Sequence, residues 1–189
     1  MTNLSENWLP RHRLTVLEYH RMGELGLLAP DARVELIDGE IIDMAPIGSR
    51  HASVVDRLAR ILFAAVGERA IVRVQNPVHL GDRSEPEPDL ALVKWREDYY
   101  RDSHPAAADV LLMIEVAEST QRYDRSVKAP LYARHAVPEF WVIDLENKLV
   151  HFYRHPAGDA YADISASEQP GMTPIGLLPG IAVDLAGIL

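Results

Sequence analysis

Residues 85–93, Glu85-Pro86-Glu87-Pro88-Asp89-Leu90-Ala91-Leu92-Val93, and residues 110–117, Val110-Leu111-Leu112-Met113-Ile114-Glu115-Val116-Ala117, are the two segments on which the predicted fold rests. Each segment predicts a buried β-strand, and each carries one acid, Asp89 or Glu115. A polar helix that carries Lys128 is predicted to follow. A buried carboxylate loses its hydration, and this loss destabilises the fold unless a cation or hydrogen bonds compensate for it. Two neighbouring carboxylates would also repel each other, so we expect a metal ion between Asp89 and Glu115.

The positions of the two acids favour a hard divalent cation. Pro88 holds the residue before it extended, so Asp89 is expected at the mouth of its strand. Alternation places Glu115 on the same strand face as Leu111, Met113 and Ala117. Magnesium takes one or two carboxylates plus several waters, lowers the pKa of a bound water and neutralises charge on a phosphoryl group. Lys128 is the candidate for orienting that water or stabilising the developing charge.

Composition and charge set the class of protein. The 189 residues, 48% hydrophobic and 25% charged, are typical of one soluble globular domain. The formal net charge of −9 argues against binding nucleic acid through the overall field, but it leaves open a local basic cleft with a bound metal. The sequence has no cysteine, which excludes disulfides and thiolate zinc sites. A reducing cytoplasm is therefore the simplest setting.

Neither a secretory signal nor a membrane span is expected. Met1 to Arg13 is polar and mixed, without an apolar run. The longest uncharged run, residues 169–183, is broken by Pro170, Pro174 and Pro179, so it cannot cross a bilayer as a helix.

Hydrophobic periodicity and turn residues predict a mixed β-sheet flanked by helices, of the α/β (α+β) class. Helices are predicted at Leu14 to Leu28, at His51 to Val66 with Ser49 as cap and Gly67 at the end, and from Ser119 or Thr120 to about His135, with a kink or restart at Pro130. Strands are predicted at 34–37 and 40–44 around an Asp38-Gly39 turn, and at 70–75, 78–80, 89–94, 110–117, 139–144 and 149–153. Residues 95–109 are predicted to be an irregular, mobile loop, residues 155–158 a turn, and residues 175–189 a short strand and a last helical turn.

An ordered series of short motifs resembles the Uma2 family, formerly a domain of unknown function, among the PD-(D/E)xK restriction-endonuclease-like nucleases. The motifs are Glu-Leu-Ile-Asp-Gly-Glu (35–40), His51, Pro88-Asp89, Ile-Glu-Val (114–116) with Ser119-Thr120, Asp124, Lys128, Tyr132 and Val-Pro-Glu-Phe-Trp-Val-Ile-Asp (137–144). The resemblance covers about residues 14 to 185 of the 189. It implies a single Uma2-type domain over residues 1–189, with a restriction-endonuclease-like mixed sheet and helices on both sides.

The resemblance also implies a site and a cofactor. Asp89 and Glu115 would hold Mg²⁺, with Mn²⁺ as a substitute, and Glu35 would complete the acidic cluster from the early hairpin. Lys128 would position the attacking water. His51, near a helix start, is a candidate accessory residue for a phosphate or a proton transfer, or else a helix-end residue without a role.

The implied function is that of a Mg²⁺-dependent endonuclease that hydrolyses phosphodiester bonds of nucleic acid, with DNA expected ahead of RNA. Nucleases of this fold often act as homodimers, although the sequence shows no zipper or other dimer signature. The alternative is a catalytically silent relative that binds nucleic acid or a protein partner. The acidic charge leaves it open, and so does Ala117, which stands where the wider superfamily has its lysine. Hydrolysis of another phosphate ester is a third, weaker option.

Plainer structural roles exist for the candidate residues. Asp89 could cap the loop before its strand, and Glu115 could pair with a buried arginine. Glu35 could be a solvated residue beside the hairpin turn. Asp124 lies four residues before Lys128 on the predicted helix, so the two could form a surface ion pair.

Overall fold

The computed structural model describes residues 11–189. Its helices are α1 (Val16–Glu24), α2 (Ser49–Val66), α3 (Gln121–Tyr123) and α4 (Ala129–Arg134), and a π-helical turn, Asp124–Lys128, joins the last two. Its strands are β1 (Val34–Ile37), β2 (Glu40–Asp43), β3 (Ala70–Val74), β4 (Leu90–Lys94), β5 (Val110–Ala117), β6 (Glu139–Asp144), β7 (Leu149–Ala157), β8 (Ala160–Ser167), β9 (Met172–Pro174) and β10 (Ala182–Asp184). The predicted α/β (α+β) class is confirmed.

Six strands form the central sheet, in the order β3-β4-β5-β6-β7-β8. β5 and β6 are parallel, and the other neighbouring strands are antiparallel. Every residue of β5 and of β6 is buried, as expected for strands covered on both faces. On one face, a core that includes Leu58 and Trp141 joins the sheet to α2 and the β9–β10 pair. On the other face, a core that includes Tyr132 and Phe140 joins it to α4.

The β1–β2 hairpin has the predicted turn. Asp38 and Gly39 have φ values of +49° and +77°, and a two-residue turn of type I′ requires positive φ at both positions. An isolated antiparallel bridge between Leu36 and Glu85 ties the hairpin to the extended segment before β4. The hairpin therefore lies beside the start of β4, although the two are far apart in sequence.

The first helix is shorter than the predicted Leu14 to Leu28. It begins after Thr15, whose side chain forms a reciprocal capping box with Glu18. It ends at Glu24, and the chain then turns through Gly26, which has a φ of +71°. Glycine weakens a helix because it has the most backbone entropy to lose.

Neither predicted side-chain cap is formed. α2 begins at Ser49 itself, behind an N-cap at Gly48, and it ends at Gly67 as predicted. Thr120 precedes α3, but its side chain accepts no hydrogen bond from the helix backbone, and its hydroxyl donates to Asp124.

Several predictions for the second half of the chain and its loops were wrong. Residues 78–80 form no strand. His79 makes only an isolated bridge to Ala106. β7 continues through the turn predicted at 155–158, and β8 and β9 were not predicted. Tyr161 is the one buried residue of β8, so the sequence of this strand shows no clear apolar alternation. The predicted tail strand is β10, and a turn follows it in place of the predicted helical turn.

A β-bulge changes one detail of β5. The register of the β4–β5 pair shifts by one residue, so Leu111 packs in the same core as Leu112. Leu111 is therefore not on the face predicted for it, whereas Met113 and Ala117 share a core on the opposite face. In the loop at 95–109, Tyr100 is buried and its O–H donates to the Lys94 carbonyl, while the mobility of this loop stays a prediction.

Residues 1–10 lie outside the described part of the chain, so the expected lack of a secretory signal in Met1 to Arg13 stays a prediction. No helix within residues 11–189 is both long enough and apolar enough to cross a membrane.

Replacing Gly39 by alanine is expected to destabilise the protein more than replacing Gly158. The φ values are +77° and +67°, so each alanine adds about 1–2 kcal/mol of backbone strain. A Cβ at Gly39 would also lie 2.7 Å from Cβ of Arg13 and 2.9 Å from the backbone nitrogen of Leu14, whereas nothing lies within 4 Å at Gly158. Urea unfolding of both variants measures the difference, and equal losses would contradict the close packing at the hairpin turn.

Candidate active site

Four side chains singled out from the sequence meet in one cleft. Glu35 comes from β1, Asp89 directly precedes β4, Glu115 lies in β5 and Lys128 ends the π-helical turn. All four line a cleft of about 460 Å³. Their exposed fractions are 3%, 8%, 5% and 4%, so the solvated position considered for Glu35 is wrong. The cleft is thus a largely desolvated cluster of three acids and one lysine.

Lys128 is the cation of this cluster. Its Nζ donates to Oε1 of Glu115 at 2.9 Å and lies 3.2 Å from Oε2 of Glu35. The O–H of Tyr132 donates to the same Oε1 of Glu115 at 2.8 Å. Lys128 therefore pairs with acids from two other elements instead of forming the surface pair with Asp124. The partner of Glu115 is a lysine and not the arginine considered from the sequence.

The π-helical turn explains the path of the chain at Lys128. The N–H of Ala129 donates to the carbonyl of Asp124, five residues earlier. Pro130 comes directly after this donor, has no N–H of its own, and would crowd the carbonyl four residues before it in a regular helix. The restart predicted at Pro130 is confirmed, because α4 begins here with the proline in its first turn. Asp124 and Lys128, at the two ends of the π turn, are both buried.

Asp89 is fixed by three hydrogen bonds. Its Oδ1 faces Nε2 of His51 at 2.9 Å and accepts from Nε2 of Gln75 at 3.2 Å, and its Oδ2 accepts from the Val116 N–H at 2.8 Å. Burial alone would raise the pKa of Asp89, but the hydrogen bonds, that from His51 first, lower it. The bond to Asp89 raises the pKa of His51. An ionised carboxylate and a protonatable imidazole thus stand together, and His51 reaches into the cleft from the start of α2.

Burial shifts the pKa values of Glu115 and Lys128 in opposite directions. Burial raises the pKa of Glu115 to about 8, and the charge of Lys128 only partly offsets this effect. Burial would lower the pKa of Lys128, but the carboxylates of Glu115 and Glu35 outweigh it and raise that pKa. One cation near two buried carboxylates cannot neutralise both, so the cleft favours either a proton on one acid or a second cation.

Three residues of the site were given no site role from the sequence, although Asp124 belongs to the motif series. Asp124 is buried, accepts from Thr120, and has a pKa raised by burial to about 6. Glu87 lines the cleft and its backbone N–H donates to Glu35. Alternation in the extended segment that ends at Asp89 could have indicated Glu87, because residues two apart share a side. No sequence signal indicates Gln75.

The carboxylates have the donor chemistry of a magnesium site. Within residues 11–189, no group of three or more His, Asp or Glu side chains is placed to hold a metal ion. In contacts with the described residues, however, Glu115 uses Oε1 and Glu35 uses Oε2, so one oxygen of each takes part in no hydrogen bond or ion pair. Carboxylate oxygens are the protein ligands that Mg²⁺ takes. One oxygen of Glu35 and one of Glu115 are therefore available to a hard divalent cation, whereas both oxygens of Asp89 already contact His51, Gln75 or the Val116 N–H.

Lys128→Met is expected to lower the free energy of unfolding by roughly 3–5 kcal/mol at a pH of about 8, because it leaves buried carboxylates without their cation. The matched control is Lys94→Met, since Lys94 is exposed at the end of β4, and it should change stability by less than about 0.5 kcal/mol. Urea denaturation measures both variants. Similar losses would show that the buried acids need no cation.

Metal-free wild-type protein is expected to lose stability as the pH rises from about 5 to about 8, and Glu115→Gln to lose less. The pKa of Glu115 rises from 4.5 to about 8 on folding, so its contribution is full below pH 4.5 and is lost as the pH rises through about 8. Thermal melts in EDTA across this range measure the effect, with the exposed Glu68→Gln as control. Parallel curves for wild type and Glu115→Gln would contradict the raised pKa.

Comparisons with known proteins support the fold and identify the family. The family model of Uma2, described as "Putative restriction endonuclease", matches residues 16–186. A solved structure of "a putative nuclease belonging to DUF820" from Anabaena variabilis ATCC 29413 is similar, with a TM-score of 0.59 and 18% identity. The match covers 76% of this chain and 82% of that chain, and at this identity it shows a shared fold alone. No curated protein sequence matches significantly. The fold is restriction-endonuclease-like, and the chain belongs to the Uma2 family.

Proposed function

We propose that this protein is a divalent-metal-dependent endonuclease that hydrolyses phosphodiester bonds of nucleic acid, with DNA as the expected substrate. The observation that carries the proposal is the position of Lys128, within 2.9 Å of Glu115 and 3.2 Å of Glu35 in the cleft that also contains Asp89. Membership of a family described as "Putative restriction endonuclease" supports the same reaction class.

Glu35, Asp89 and Glu115 would hold the metal, Mg²⁺ or Mn²⁺. The bound ion would supply a water of lowered pKa and would neutralise charge on the phosphoryl group. Proteins with restriction-endonuclease-like folds generally use divalent metals. The unbalanced acids around Lys128 give this chain its own electrostatic reason to accept a cation.

Lys128 would orient the attacking water. An ammonium group has three N–H donors, and its contacts with Glu115 and Glu35 account for two of them. The third can donate to a water or to a phosphoryl oxygen in the cleft, where low hydration strengthens the interaction. Lys128 would thereby take the role of the superfamily lysine, whose usual position is occupied here by Ala117.

His51 would act through Asp89. Its ring is 2.9 Å from Oδ1 of Asp89 and keeps that carboxylate ionised and oriented. The same ring lines the cleft, so it can also donate a hydrogen bond to a phosphate.

The charge of the cleft makes metal loading a condition for binding. The walls carry further acids besides the three proposed ligands, namely Asp43, Glu87, Glu118 and Asp124. The chain as a whole has a formal charge of −9. A nucleic acid would be repelled by this field unless cations are bound, so substrate affinity should depend on the metal as well as catalysis.

A catalytically silent binding module of the same fold is the second candidate. It is favoured by the absence, within residues 11–189, of a side-chain group placed to hold a metal and by the Lys128 and Tyr132 contacts that already occupy Oε1 of Glu115.

We further propose that residues 1–189 act as one domain and that the protein is a homodimer. We propose the cytoplasm as its location, because a reducing compartment suits a cysteine-free chain.

The experiment compares cleavage of plasmid DNA, single-stranded DNA and RNA by wild type and by Glu115→Gln, with Mg²⁺, with Mn²⁺ and with EDTA. Wild type should cut DNA only with metal, and Glu115→Gln should be slower by roughly 100-fold or more. Glu68→Gln, which removes an exposed acid beyond α2, is the matched control and should retain full activity.

Cleavage that survives in Glu115→Gln would place the activity elsewhere or in a contaminant. Absence of cleavage of all three substrates by folded wild type would contradict the nuclease proposal and favour the silent module. Binding of the same nucleic acids, measured by fluorescence anisotropy, would then test that module directly.

A further inference from the structure

A second cluster of titratable side chains lies outside the candidate active site. Nε2 of His20, on α1, is 2.6 Å from Oε1 of Glu85, and Nδ1 of His79 is 3.5 Å from Oε2 of the same residue. The ring of His104 lies across from His20, with 6.4 Å between ring centroids and an interplanar angle of 77°. Three of the eight histidines of the chain thus gather around one acid. The four residues come from three segments: α1, the turn flanked by His79 and Glu85, and the loop at 95–109.

Glu85 is a buried carboxylate whose partners differ from those of Glu115. It is 4% exposed, and among the described residues its ion-pair partners are imidazoles, with no lysine or arginine within 4 Å. An isolated buried carboxylate is costly unless a charge or hydrogen bonds compensate for its lost hydration. Both of its oxygens face ring nitrogens, and these are themselves metal-ligating atoms.

The cluster opens onto its own cleft. This second cleft, of about 930 Å³, is lined by His20, His79, Glu85 and His104 and shares no lining residue with the active-site cleft. A small ion can therefore reach the donor atoms from solvent without passing the candidate active site. Because the two clefts are separate, their occupants can be tested independently.

We propose that His20, His79, Glu85 and His104 bind a Zn²⁺ ion. Imidazole nitrogens with one carboxylate are the donor set that zinc takes when no thiolate is present. Two tetrahedral zinc ligands, each about 2.0–2.1 Å from the ion, are themselves about 3.4 Å apart. The 3.5 Å between His79 and Glu85 matches this separation.

Binding needs these side chains to rearrange, because within residues 11–189 no group of three or more such side chains is placed to hold a metal ion. His20 must withdraw from its 2.6 Å contact with Glu85, and the ring of His104 must turn towards the acid. Both residues are exposed, so their rings have room to change rotamer. The unloaded state is held by the His20–Glu85 hydrogen bond, which the ion replaces.

The site would be structural. It would join α1 to the segment of Glu85, whose backbone pairs with Leu36 in the strand that carries Glu35. An ion that binds the folded chain and not the unfolded one stabilises the fold by mass action. Zinc would thus fix α1 and the loop of His104 beside the hairpin, whether or not the protein is a nuclease.

The test is titration of the tag-free full-length chain with Zn²⁺ in excess Mg²⁺, followed by calorimetry and by thermal melting. One equivalent should bind and raise the melting temperature. Glu85→Gln and His104→Ala should each weaken binding by about tenfold or more. His104 makes no hydrogen bond with a described residue, so its removal should leave the fold intact. His155→Asn, an exposed histidine on β7, is the matched control and should bind as wild type does.

Substitution with Co²⁺ identifies the ligands. A four-coordinate nitrogen and oxygen environment should give a visible absorption band that is lost in His104→Ala and retained in His155→Asn. Two results overturn the proposal: no saturable Zn²⁺ binding by wild type, or binding of equal strength in Glu85→Gln and His104→Ala. If Glu85→Gln does not fold, His104→Ala decides alone.

Discussion

The contact between Lys128 and Glu115 is the interaction on which the candidate site depends. Both side chains are almost fully buried, and neither charge would be stable there without the other. The lysine also faces Glu35, so the charges do not balance. A fold selected for stability alone would more readily place apolar side chains at these positions. Buried charges of this kind mark a candidate functional site, because perturbed ionisable groups cluster at such sites.

The chain brings these charges together through three irregular features at the ends of regular elements. The π-helical turn before Pro130 widens the helix where Lys128 lies. The Asp38-Gly39 turn and the Leu36–Glu85 bridge bring β1 alongside the start of β4. The extended Glu-Pro-Glu-Pro-Asp segment delivers Asp89 to the mouth of its strand. Each feature departs from an ideal helix or sheet, as is frequent where a functional site is built.

Buried acids in this protein are stabilised in three ways. Glu139 is fully satisfied, because it accepts from Trp141, Arg154 and the Gly176 backbone, and it needs no ion. Glu115 has a lysine that it shares with a second acid. Glu85 has only imidazoles within reach among the described residues. An acid in an apolar strand is thus not by itself a site, and the partners of the acid decide what it can bind.

The sequence alone determined the α/β class, the Asp38-Gly39 hairpin, the central strands β5 and β6, and the four residues of the cleft, because these follow from local periodicity, turn chemistry and an ordered series of motifs. Local periodicity alone does not separate Glu115 from Glu139, since both are acids in apolar strands, and it left open a surface pair of Lys128 with Asp124; the motif series selected Glu115 and Lys128. It also missed β8, which has little buried surface to impose a pattern. Which charges meet depends on the tertiary structure, because the four residues come from separate elements: Glu35, Asp89, Glu115 and Lys128. Their distances are set by strand pairing and by the π turn, and sequence spacing does not encode either.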